Sequence, residues 1–489
     1  MELDHKRILT LGDLKKSGYR SKKIKDELRD NLIQKIKSGE NAFPGVWGYE
    51  NSVIPELESA ILSRHNINLL GLRGQAKTRL ARLMVNLLDE YIPIIAGSEI
   101  NDDPLAPISR YGRDTIAEHG DDSEVAWIHR KERFFEKLAT PDVTVADLIG
   151  DVDPIKAANL KLSYADERVI HFGMIPRANR SIFVINELPD LQARIQVSLF
   201  NILQEGDIQI RGFRLRLPLD LQFVFTANPE DYTNRGSIVT PLKDRIGSQI
   251  LTHYPQDIAT ARKITEQESR LDQRQQDAIY IPDLARDLLE QIAIEARKSE
   301  YVDSKSGVSA RMGITSLENL LSTAERRILR NGEETTQIRL MDFMGVIPSI
   351  TGKIELVYEG EQEGAGSVAE LLIEDAVKYF FVQNFPKIDK LERKDVQGPY
   401  DELIAWFFEG DGFELLDDAT DGEYRNKLDS IPALNDLVRE YRPEINKDDS
   451  YFLKELLLWG LVGHKKLSKQ RFVKGYWIKD IYGTFIRDL

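Results

Sequence analysis

The segment Leu69–Thr78 carries glycines, a lysine and a hydroxyl at spacings that suit phosphate binding. Its glycines let backbone N–H groups curl around phosphate oxygens, Lys77 neutralises their charge, and the Thr78 hydroxyl reaches Mg²⁺. Ala76 stands where the usual pattern has glycine, and alanine is tolerated there if the position lies at the helical entry and not at positive φ. The bland alternative is a surface turn before an ordinary helix. The predicted phosphate ligands are Gly71, Arg73, Gly74, Gln75, Ala76, Lys77 and Thr78.

The elements on either side of this loop fit the same prediction. Ile67–Leu70 has the apolar composition of a short buried strand, and Arg79–Leu88 has leucines and a methionine at helical spacing. A helix that starts at the loop would direct the positive end of its dipole at the bound phosphates.

A second apolar strand, at 182–186, ends in a polar pair, Asn186 and Glu187. A glutamate at a strand end beside bound ATP polarises the attacking water. Asn186 occupies the position at which an aspartate usually helps to hold Mg²⁺ through water. Its amide still accepts a hydrogen bond from a metal-bound water but adds no charge, so we expect weaker Mg²⁺ binding and slower catalysis. A buried strand that ends in a helix cap is the alternative.

Three further polar residues are candidates for contact with the γ-phosphate. Asn228 follows a third apolar strand at 221–226, where a side-chain amide can lie between phosphate and water. Arg245, on a predicted short helix, is placed to reach the nucleotide of a neighbouring subunit, and a guanidinium spreads phosphoryl charge well. Arg311 opens a later helix. The alternatives are a structural ion pair for Arg245 and an ordinary helix start for Arg311.

Composition excludes several classes of function. The 489 residues carry a formal charge of -14, which argues against a broad nucleic-acid surface, and they contain no cysteine for disulfide, thiolate metal site or nucleophile. The charged N-terminus does not resemble a secretory signal, and no uncharged run is long enough to span a membrane. We therefore expect a cytoplasmic protein.

The pattern along the chain predicts an α/β fold with a parallel sheet, followed by helices. Apolar strands alternate with helical segments up to about residue 250, the signature of a parallel sheet covered by helices. Helical periodicity then dominates, clearest at 283–297, 316–330 and 451–461, and 357–366 reads as an exposed connection. The predicted domains are a helical lead-in (1–40), a nucleotide-binding core (41–250), a helical lid (251–356) and a mostly helical accessory region (357–489).

Two segments read as additions to this plan. Residues 206–217 alternate polar with apolar on both sides of Gly212 and predict a β-hairpin with a basic rim, from Arg211, Arg214 and Arg216. Such a rim either faces a partner or is merely solvated. Residues 97–140 are rich in polar and charged residues, and we interpret them as a partner-facing insertion.

As a set, these motifs resemble an AAA+ ATPase of the magnesium chelatase I-subunit and MoxR branch. The resemblance extends beyond the nucleotide motifs and covers about 41–350. Three other segments carry it: Phe43–Glu50, which looks like the family's entry over the adenine, Leu148–Ala157, and Gly173–Arg180 before the second strand.

This resemblance implies an αβα core with a helical lid, assembled as a ring, usually a hexamer, with ATP and Mg²⁺ at subunit interfaces. It assigns Lys77 and Thr78 to phosphate and Mg²⁺, and Tyr49 to the nucleotide. Glu187 would activate water, with Asn228 as sensor 1, Arg245 as arginine finger and Arg311 as sensor 2. The chain's last part lacks the metal-binding pattern of a von Willebrand A domain, so a partner of that kind would be a separate protein.

Four functions remain open on the sequence. The leading hypothesis is an ATP-driven remodeller of a partner protein in MoxR fashion. A chelatase subunit that powers Mg²⁺ insertion into a porphyrin is second, although the added C-terminal region and Asn186 weigh against it. A nucleotide-gated scaffold that does not hydrolyse ATP is third, and a DNA-translocating motor is disfavoured by the charge.

Overall fold

The computed structural model describes residues 7–163, 166–205, 207–209, 216–229, 237–388, 398–410, 412–472 and 475–480. The chain divides into two compact units, Met1–His253 and Tyr254–Leu489. The division falls close to the expected end of the nucleotide-binding core.

A parallel five-stranded sheet forms the centre of the first unit, with its strands in the order Ser248–Leu251, Ile67–Leu70, Leu221–Ala227, Ser181–Asn186 and Phe134–Leu138. Because all of its strands run the same way, the residues that follow their carboxyl ends gather along one edge. The predicted α/β fold is confirmed. The strands of this unit are β1 Ile67–Leu70, β2 Tyr91–Ile95, β3 Val125–His129, β4 Phe134–Leu138, β5 Gly150–Val152, β6 Ile170–Phe172, β7 Ser181–Asn186, β8 Asp207–Gln209, β9 Arg216–Pro218, β10 Leu221–Ala227 and β11 Ser248–Leu251.

Helices surround this sheet, and the helix that follows the predicted phosphate loop begins at Lys77. It is α-helical only to Leu83 and continues as a 3₁₀ turn, with Leu80 and Met84 fully buried. The helices of the first unit are Leu11–Lys16, Ile24–Ser38, Val53–Leu62, Lys77–Leu83, Arg110–His119, Val145–Leu148, Pro154–Leu160, Met174–Arg177, Ala193–Glu205 and Thr240–Lys243, with 3₁₀ turns at Met84–Leu87, Gly120–Asp122, Arg130–Glu132, Glu167–Val169 and Leu188–Asp190.

The interpretation of 97–140 as an insertion was wrong for its last part. Strand β4 is an edge strand of the central sheet and pairs with β7 in parallel, with Glu136 opposite Val184 and Leu138 opposite Asn186. Its side chains are half-buried or exposed because a neighbouring strand lies on one side only. Earlier in the segment, β3 pairs with β2 in antiparallel fashion.

The helix Ile24–Ser38 belongs to the core of the first unit. Its Leu28 and Leu32 are buried in the same apolar cluster as β1. On the same helix Glu27 forms a two-pronged ion pair with Arg133, at 2.7 Å for each Nη–Oε contact, and the two side chains are 3% and 1% exposed. The guanidinium also donates to the Arg180 carbonyl oxygen at 2.8 and 2.9 Å. A buried charge pair thus joins this helix to the start of β4.

The base of the predicted hairpin is present. Strands β8 and β9 pair antiparallel, with Asp207 opposite Pro218 and Gln209 opposite Arg216. Its centre, with Arg211, Gly212 and Arg214, lies outside the described residues, so the role of its basic rim stays a prediction.

Helices make up most of the second unit, around one apolar cluster that runs from Ile279 to Ile478. The sequence did not predict a three-stranded antiparallel sheet, whose strands lie in the order Phe413–Leu416, Gly475–Lys479 and Ser468–Phe472. Its strands are β12 Ile279–Tyr280, β13 Thr336–Gln337, β14 Phe413–Leu416, β15 Ser468–Phe472 and β16 Gly475–Lys479, and its helices are Ile258–Glu268, Gln273–Ala278, Asp283–Lys298, Arg311–Asn331, Leu340–Val346 (3₁₀), Ile347–Thr351, Tyr358–Glu363, Ala365–Asn384, Asp401–Glu409, Asp421–Asp429, Pro432–Tyr441 and Lys447–Gly463.

Glu455 joins distant parts of the second unit. Its fully buried carboxylate accepts hydrogen bonds from the backbone N–H groups of Leu340 and Met341, at 2.8 and 3.0 Å. It also accepts from the hydroxyls of Tyr424 and Tyr476, at 3.0 and 2.7 Å. The expected lid and the expected accessory region therefore share a buried polar centre.

The segment 357–366 was predicted to be a connection, and that was wrong in its local structure. Tyr358–Glu363 is helical, and the helix Ala365–Asn384 follows after a single residue. Gly360, in the helix Tyr358–Glu363, is buried, and an added Cβ there would lie 2.4 Å from the Tyr301 carbonyl oxygen. That glycine is required for close packing and not for a turn. Among the described residues, no helix has both the length and the apolar character needed to cross a membrane.

Glu290 predicts a pH dependence of stability in the second unit. Its side chain is 5% exposed, and burial raises the pKa of its carboxyl from 4.5 to about 7. The folded state therefore binds a proton more tightly than the unfolded state, so the free energy of unfolding falls as pH rises from about 4.5 to about 7. Glu290→Gln should remove this slope and stabilise the protein at pH 8 by up to about 3 kcal/mol. Denaturant unfolding at pH 5 and pH 8 measures it.

Glu300→Gln is the control, since it removes an exposed carboxyl from the same unit. Equal pH slopes for wild type and Glu290→Gln would contradict the prediction.

Candidate functional site

The loop after β1 is built around backbone groups, as phosphate binding requires. A side chain at Gly71 would displace two neighbours, because an added Cβ would lie 2.0 Å from the Thr252 hydroxyl and 2.2 Å from the Gln75 side-chain oxygen. The Lys77 ammonium folds back over the loop and donates to the carbonyl oxygens of Gly71 and Leu72, the latter at 2.8 Å. The lysine thus lies where an incoming phosphate oxygen would compete with carbonyls for its protons. Gly74 is at φ 73°, and Arg73 is exposed.

The prediction that alanine is tolerated at position 76 required that its φ not be positive, and the structure does not meet that condition. Ala76 lies at φ 55° and ψ 16°, in the left-handed region, directly before the first residue of the helix. An alanine Cβ in that conformation clashes with its own backbone and costs about 1–2 kcal/mol. The chain therefore carries backbone strain in its phosphate loop.

Replacing Ala76 with glycine should relieve this strain. Because glycine also gives the unfolded chain more freedom, we expect a net gain of about 0.5–1 kcal/mol in the free energy of unfolding. Denaturant titration measures the gain. Ala117→Gly is the matched control: Ala117 is exposed within the helix Arg110–His119, where glycine should cost about 1 kcal/mol. A loss of stability in both variants would show that Ala76 is unstrained.

Tyr49 and Gln75 join the loop to the segment around His253. The buried Tyr49 hydroxyl lies 2.9 Å from the Gln75 carbonyl oxygen and 2.8 Å from the His253 carbonyl oxygen. Its ring meets the His253 ring edge-on, with centroids 5.0 Å apart. The Gln75 side-chain oxygen accepts a hydrogen bond from Thr252 at 2.8 Å. These two candidate nucleotide ligands therefore also position the loop against the segment after β11.

Asn186 lies beside Thr78, the other residue predicted for the metal side of the site. The Thr78 hydroxyl is 3.5 Å from the Asn186 side-chain oxygen, and the Thr226 hydroxyl donates to the same oxygen at 3.2 Å. Its amide nitrogen donates to the Glu136 carboxylate at 2.5 Å. Oxygen donors of this kind are the ligands that Mg²⁺ prefers, so the side chains of Thr78 and Asn186 fit the ion.

Glu187 and Asn228 come to the same edge of the sheet, because β7 and β10 are neighbours. Glu187 has a left-handed backbone at φ 57° and an exposed side chain, and its N–H donates to the Thr226 hydroxyl at 3.1 Å. A non-glycine residue in that conformation is uncommon and is enriched at functional sites. Asn228 is 6% exposed and directly follows β10.

Arg245 is engaged within its own chain. It lies just beyond the short helix Thr240–Lys243, and its guanidinium packs 3.8 Å from the centre of the Phe200 ring. It also donates to the Pro241 carbonyl oxygen at 2.8 Å and lies 3.7 Å from the Asp244 carboxylate. Reaching a neighbouring subunit would require it to leave these contacts, so the finger role stays a prediction.

Arg311 belongs to the second unit and begins the helix Arg311–Asn331, as expected. Its side chain is exposed, and its N–H donates to the Ser309 hydroxyl at 3.1 Å. Its predicted contact with the γ-phosphate remains untested.

Sequence reasoning missed three residues that shape the site, Glu136, Thr226 and Thr252. Thr226 lies near the end of β10, which the sequence predicted, and Thr252 directly follows β11, which it did not. Their hydroxyls donate hydrogen bonds to the side-chain oxygens of Asn186 and Gln75. Glu136 lies in the strand mistaken for an insertion. The available signal was the pair Phe134 and Phe135, since aromatic residues are enriched in strands.

Two comparisons of sequence bear on this site. Residues 123–246 match the family model described as "AAA domain (dynein-related subfamily)", a stretch that contains Asn186, Glu187, Asn228 and Arg245. The magnesium-chelatase 38 kDa subunit of Cereibacter sphaeroides is 25% identical over 137 residues, which is 27% of this chain and 40% of that protein. The chain therefore matches two fifths of the length of this curated relative.

Solved structures show a weaker likeness. A complex of the magnesium chelatase subunits BchI and BchD is 17% identical, covers 66% of this chain and 98% of that chain, and has a TM-score of 0.35. A RuvB variant from Thermotoga maritima is 11% identical, covers 90% and 96%, and has a TM-score of 0.36. Assignment of the chain rests on the sequence matches and on the site itself.

Proposed function

We propose that this chain is an AAA+ ATPase of the branch that includes the magnesium chelatase I-subunit and MoxR, and that it binds and hydrolyses ATP to remodel or activate a partner protein. One observation carries the proposal. The phosphate loop, the Asn186–Glu187 pair and Asn228 follow three neighbouring strands of one parallel sheet, at the edge where such sheets bind ligands.

In this proposal each residue of the chain has a defined task. Loop N–H groups and Lys77 bind the phosphates, and Glu187 accepts a proton from the attacking water. Asn228 orients that water against the γ-phosphate. Arg245 of one subunit and Arg311 of the second unit then spread the charge that develops during phosphoryl transfer.

Mg²⁺ would be held by Thr78 directly and by Asn186 through water. When bound, it would neutralise part of the phosphate charge. The 3.5 Å contact between Thr78 and the Asn186 side-chain oxygen supports this pair as its protein ligands.

The assembly proposed is a cytoplasmic ring, a hexamer by analogy with the branch, in which ATP lies between subunits. Its partner would be a separate protein, one carrying a von Willebrand A domain being a specific candidate. In the second unit, the apolar side chains of Leu329 and Phe408 are 74% and 67% exposed.

Steady-state ATP hydrolysis over a series of protein concentrations tests the proposal, beside ATP binding by wild type and Lys77→Ala. Loss of the ammonium should weaken ATP binding by at least about tenfold, since a charge-assisted contact contributes about 1.5–3 kcal/mol. Turnover per subunit should rise with protein concentration if each site uses an arginine from a neighbour.

Three outcomes separate the alternatives. Concentration-dependent turnover that Lys77→Ala abolishes supports a ring ATPase. Lys77-dependent binding without turnover supports the nucleotide-gated scaffold, which Asn186 favours because it brings no charge to the metal. Binding of ATP that does not depend on Lys77 contradicts the proposed site.

A chelatase subunit is the second candidate. The observation in its favour is the 25% identity with the magnesium-chelatase 38 kDa subunit over 137 residues. ATP-dependent insertion of Mg²⁺ into a porphyrin, measured with the remaining chelatase subunits, distinguishes it from the remodeller.

A further inference from the structure

Asn186 is locked in one orientation by its neighbours. A carboxylate only accepts hydrogen bonds, so the amide nitrogen of Asn186 must face Glu136, to which it donates at 2.5 Å. The side-chain oxygen is thereby turned to the hydroxyls of Thr226 and Thr78, at 3.2 and 3.5 Å. Glu136 therefore decides which atom of Asn186 is presented to the phosphate loop.

Strand register places Glu136 for this contact. Glu136 lies opposite Val184 on the neighbouring parallel strand, two residues before Asn186, and side chains two residues apart share one face of a sheet. Its other carboxylate oxygen accepts from Arg82, at 3.0 Å from Nε and 2.8 Å from Nη2. Arg82 and Thr78 lie on the same helix, so two side chains of the helix after the loop meet the Asn186–Glu136 pair.

We propose that Glu136 supplies the negative charge that Asn186 lacks, so that the two residues act as one metal-side group with the carboxylate one side chain farther from the loop. The inference rests on the proposed ATP binding and concerns its dependence on Mg²⁺. Glu136 is a positioning residue here, since it reaches the ion's ligands through Asn186.

The proposed role of Glu136 and a simple loss of charge at position 186 predict different Mg²⁺ affinities for the variant Asn186→Asp. If Asn186 merely weakens Mg²⁺ binding, Asn186→Asp should strengthen it. With Glu136 in place, however, the substitution puts two carboxylates in direct contact, where their like charges repel and the hydrogen bond from the Asn186 amide is lost. Asn186→Asp alone should therefore bring no gain.

The test measures the affinity for a fluorescent ATP analogue with Mg²⁺ and with EDTA, and takes the ratio as the Mg²⁺ gain. Glu136→Gln keeps the shape and an acceptor for the Asn186 amide but removes the charge, and it should lower this gain about tenfold, the effect of a unit charge a few Å away in a partly screened site. Asn186→Asp should lower the gain or leave it unchanged. The double variant N186D/E136Q should restore it to the wild-type value or above.

Arg82→Gln is the matched control, because it removes the ion pair of Glu136 and leaves the contact with Asn186. It should keep the Mg²⁺ gain within about twofold of wild type, since exposed ion pairs contribute little. Melting temperatures measured without nucleotide identify any variant that fails to fold, and for such a variant the double-variant comparison decides.

The inference is overturned if Glu136→Gln leaves the Mg²⁺ gain unchanged, if Asn186→Asp alone raises it, or if Arg82→Gln lowers it as much as Glu136→Gln does. Failure of the proposed function looks different: wild type would then bind no ATP in a Lys77-dependent way, in EDTA or in Mg²⁺, and the inference would fall with it.

Discussion

Glu187→Gln is expected to lower the steady-state rate of ATP hydrolysis by at least about 100-fold while ATP still binds. The exposed Glu187 side chain follows β7 at the sheet edge, and a positioned general base contributes about 10²–10⁴ in rate. Glutamine has the same shape and cannot accept the proton. Hydrolysis under saturating ATP measures the loss, and the analogue titration shows whether binding persists.

Glu132→Gln is the control for this experiment. Glu132 is an exposed carboxylate of the same unit, in a 3₁₀ turn before β4, so its removal changes the net charge equally. Its rate should stay within about twofold of wild type. If Glu187→Gln hydrolyses ATP as fast as this control, Glu187 is not the base, and the water must be activated elsewhere at the sheet edge.

The predictable part of the fold is the part that is buried on both faces. Strands β1, β7 and β10 lie inside the sheet, where residues such as Val184 and Phe225 are fully buried, and their sequences are mainly apolar runs. The loop and the polar residues at their ends follow from those runs. The predicted resemblance to AAA+ proteins agrees with the family model matched by residues 123–246 and with the similarity to a magnesium-chelatase subunit.

Edge strands and packing glycines are harder to infer. Strand β4 has a neighbour on one side only, so it carries Glu136 and Lys137, and its polar composition suggested an insertion. Gly360 suggested a turn, but it serves the close approach of a helix to the Tyr301 carbonyl. For both Glu136 and Gly360, the sequence shows the residue type but not the neighbouring strand or carbonyl group that explains why that residue is there.

Within the site, sequence named the residues but not their conformations. Nothing in the pattern shows that Ala76 lies at φ 55° or Glu187 at φ 57°, because backbone dihedrals at such positions are imposed by the surrounding fold. The partner of Asn186 was also hidden, since Glu136 lies 50 residues earlier in the chain. In the sequence, asparagine at position 186 suggests that a negative charge is missing from the site. In the structure, the Glu136 carboxylate on the adjacent strand contacts this asparagine.

Breaking the buried pair of Glu27 and Arg133 should have the largest effect on stability. Both side chains are almost wholly buried, and Glu27 also accepts a hydrogen bond from the Asp89 N–H at 2.6 Å. Glu27→Ala would leave a guanidinium inside the protein with its charge uncompensated, at a cost of about 3–5 kcal/mol. Denaturant unfolding of the variant beside wild type measures this cost.

Asp121→Ala is the control, because it removes an exposed ion pair. The side chains of Asp121 and Lys15 are 67% and 53% exposed, and such pairs contribute about 0–1 kcal/mol to the free energy of unfolding. The double variant E27M/R133M, with apolar side chains in place of both charges, should lose much less than the sum of the single changes, since no charge is left unpaired. Equal losses for Glu27→Ala and Asp121→Ala would mean that water reaches the pair. The predicted result instead makes the helix Ile24–Ser38 a structural part of the first unit, since its attachment holds the start of β4 and, through that strand, the position of Glu136.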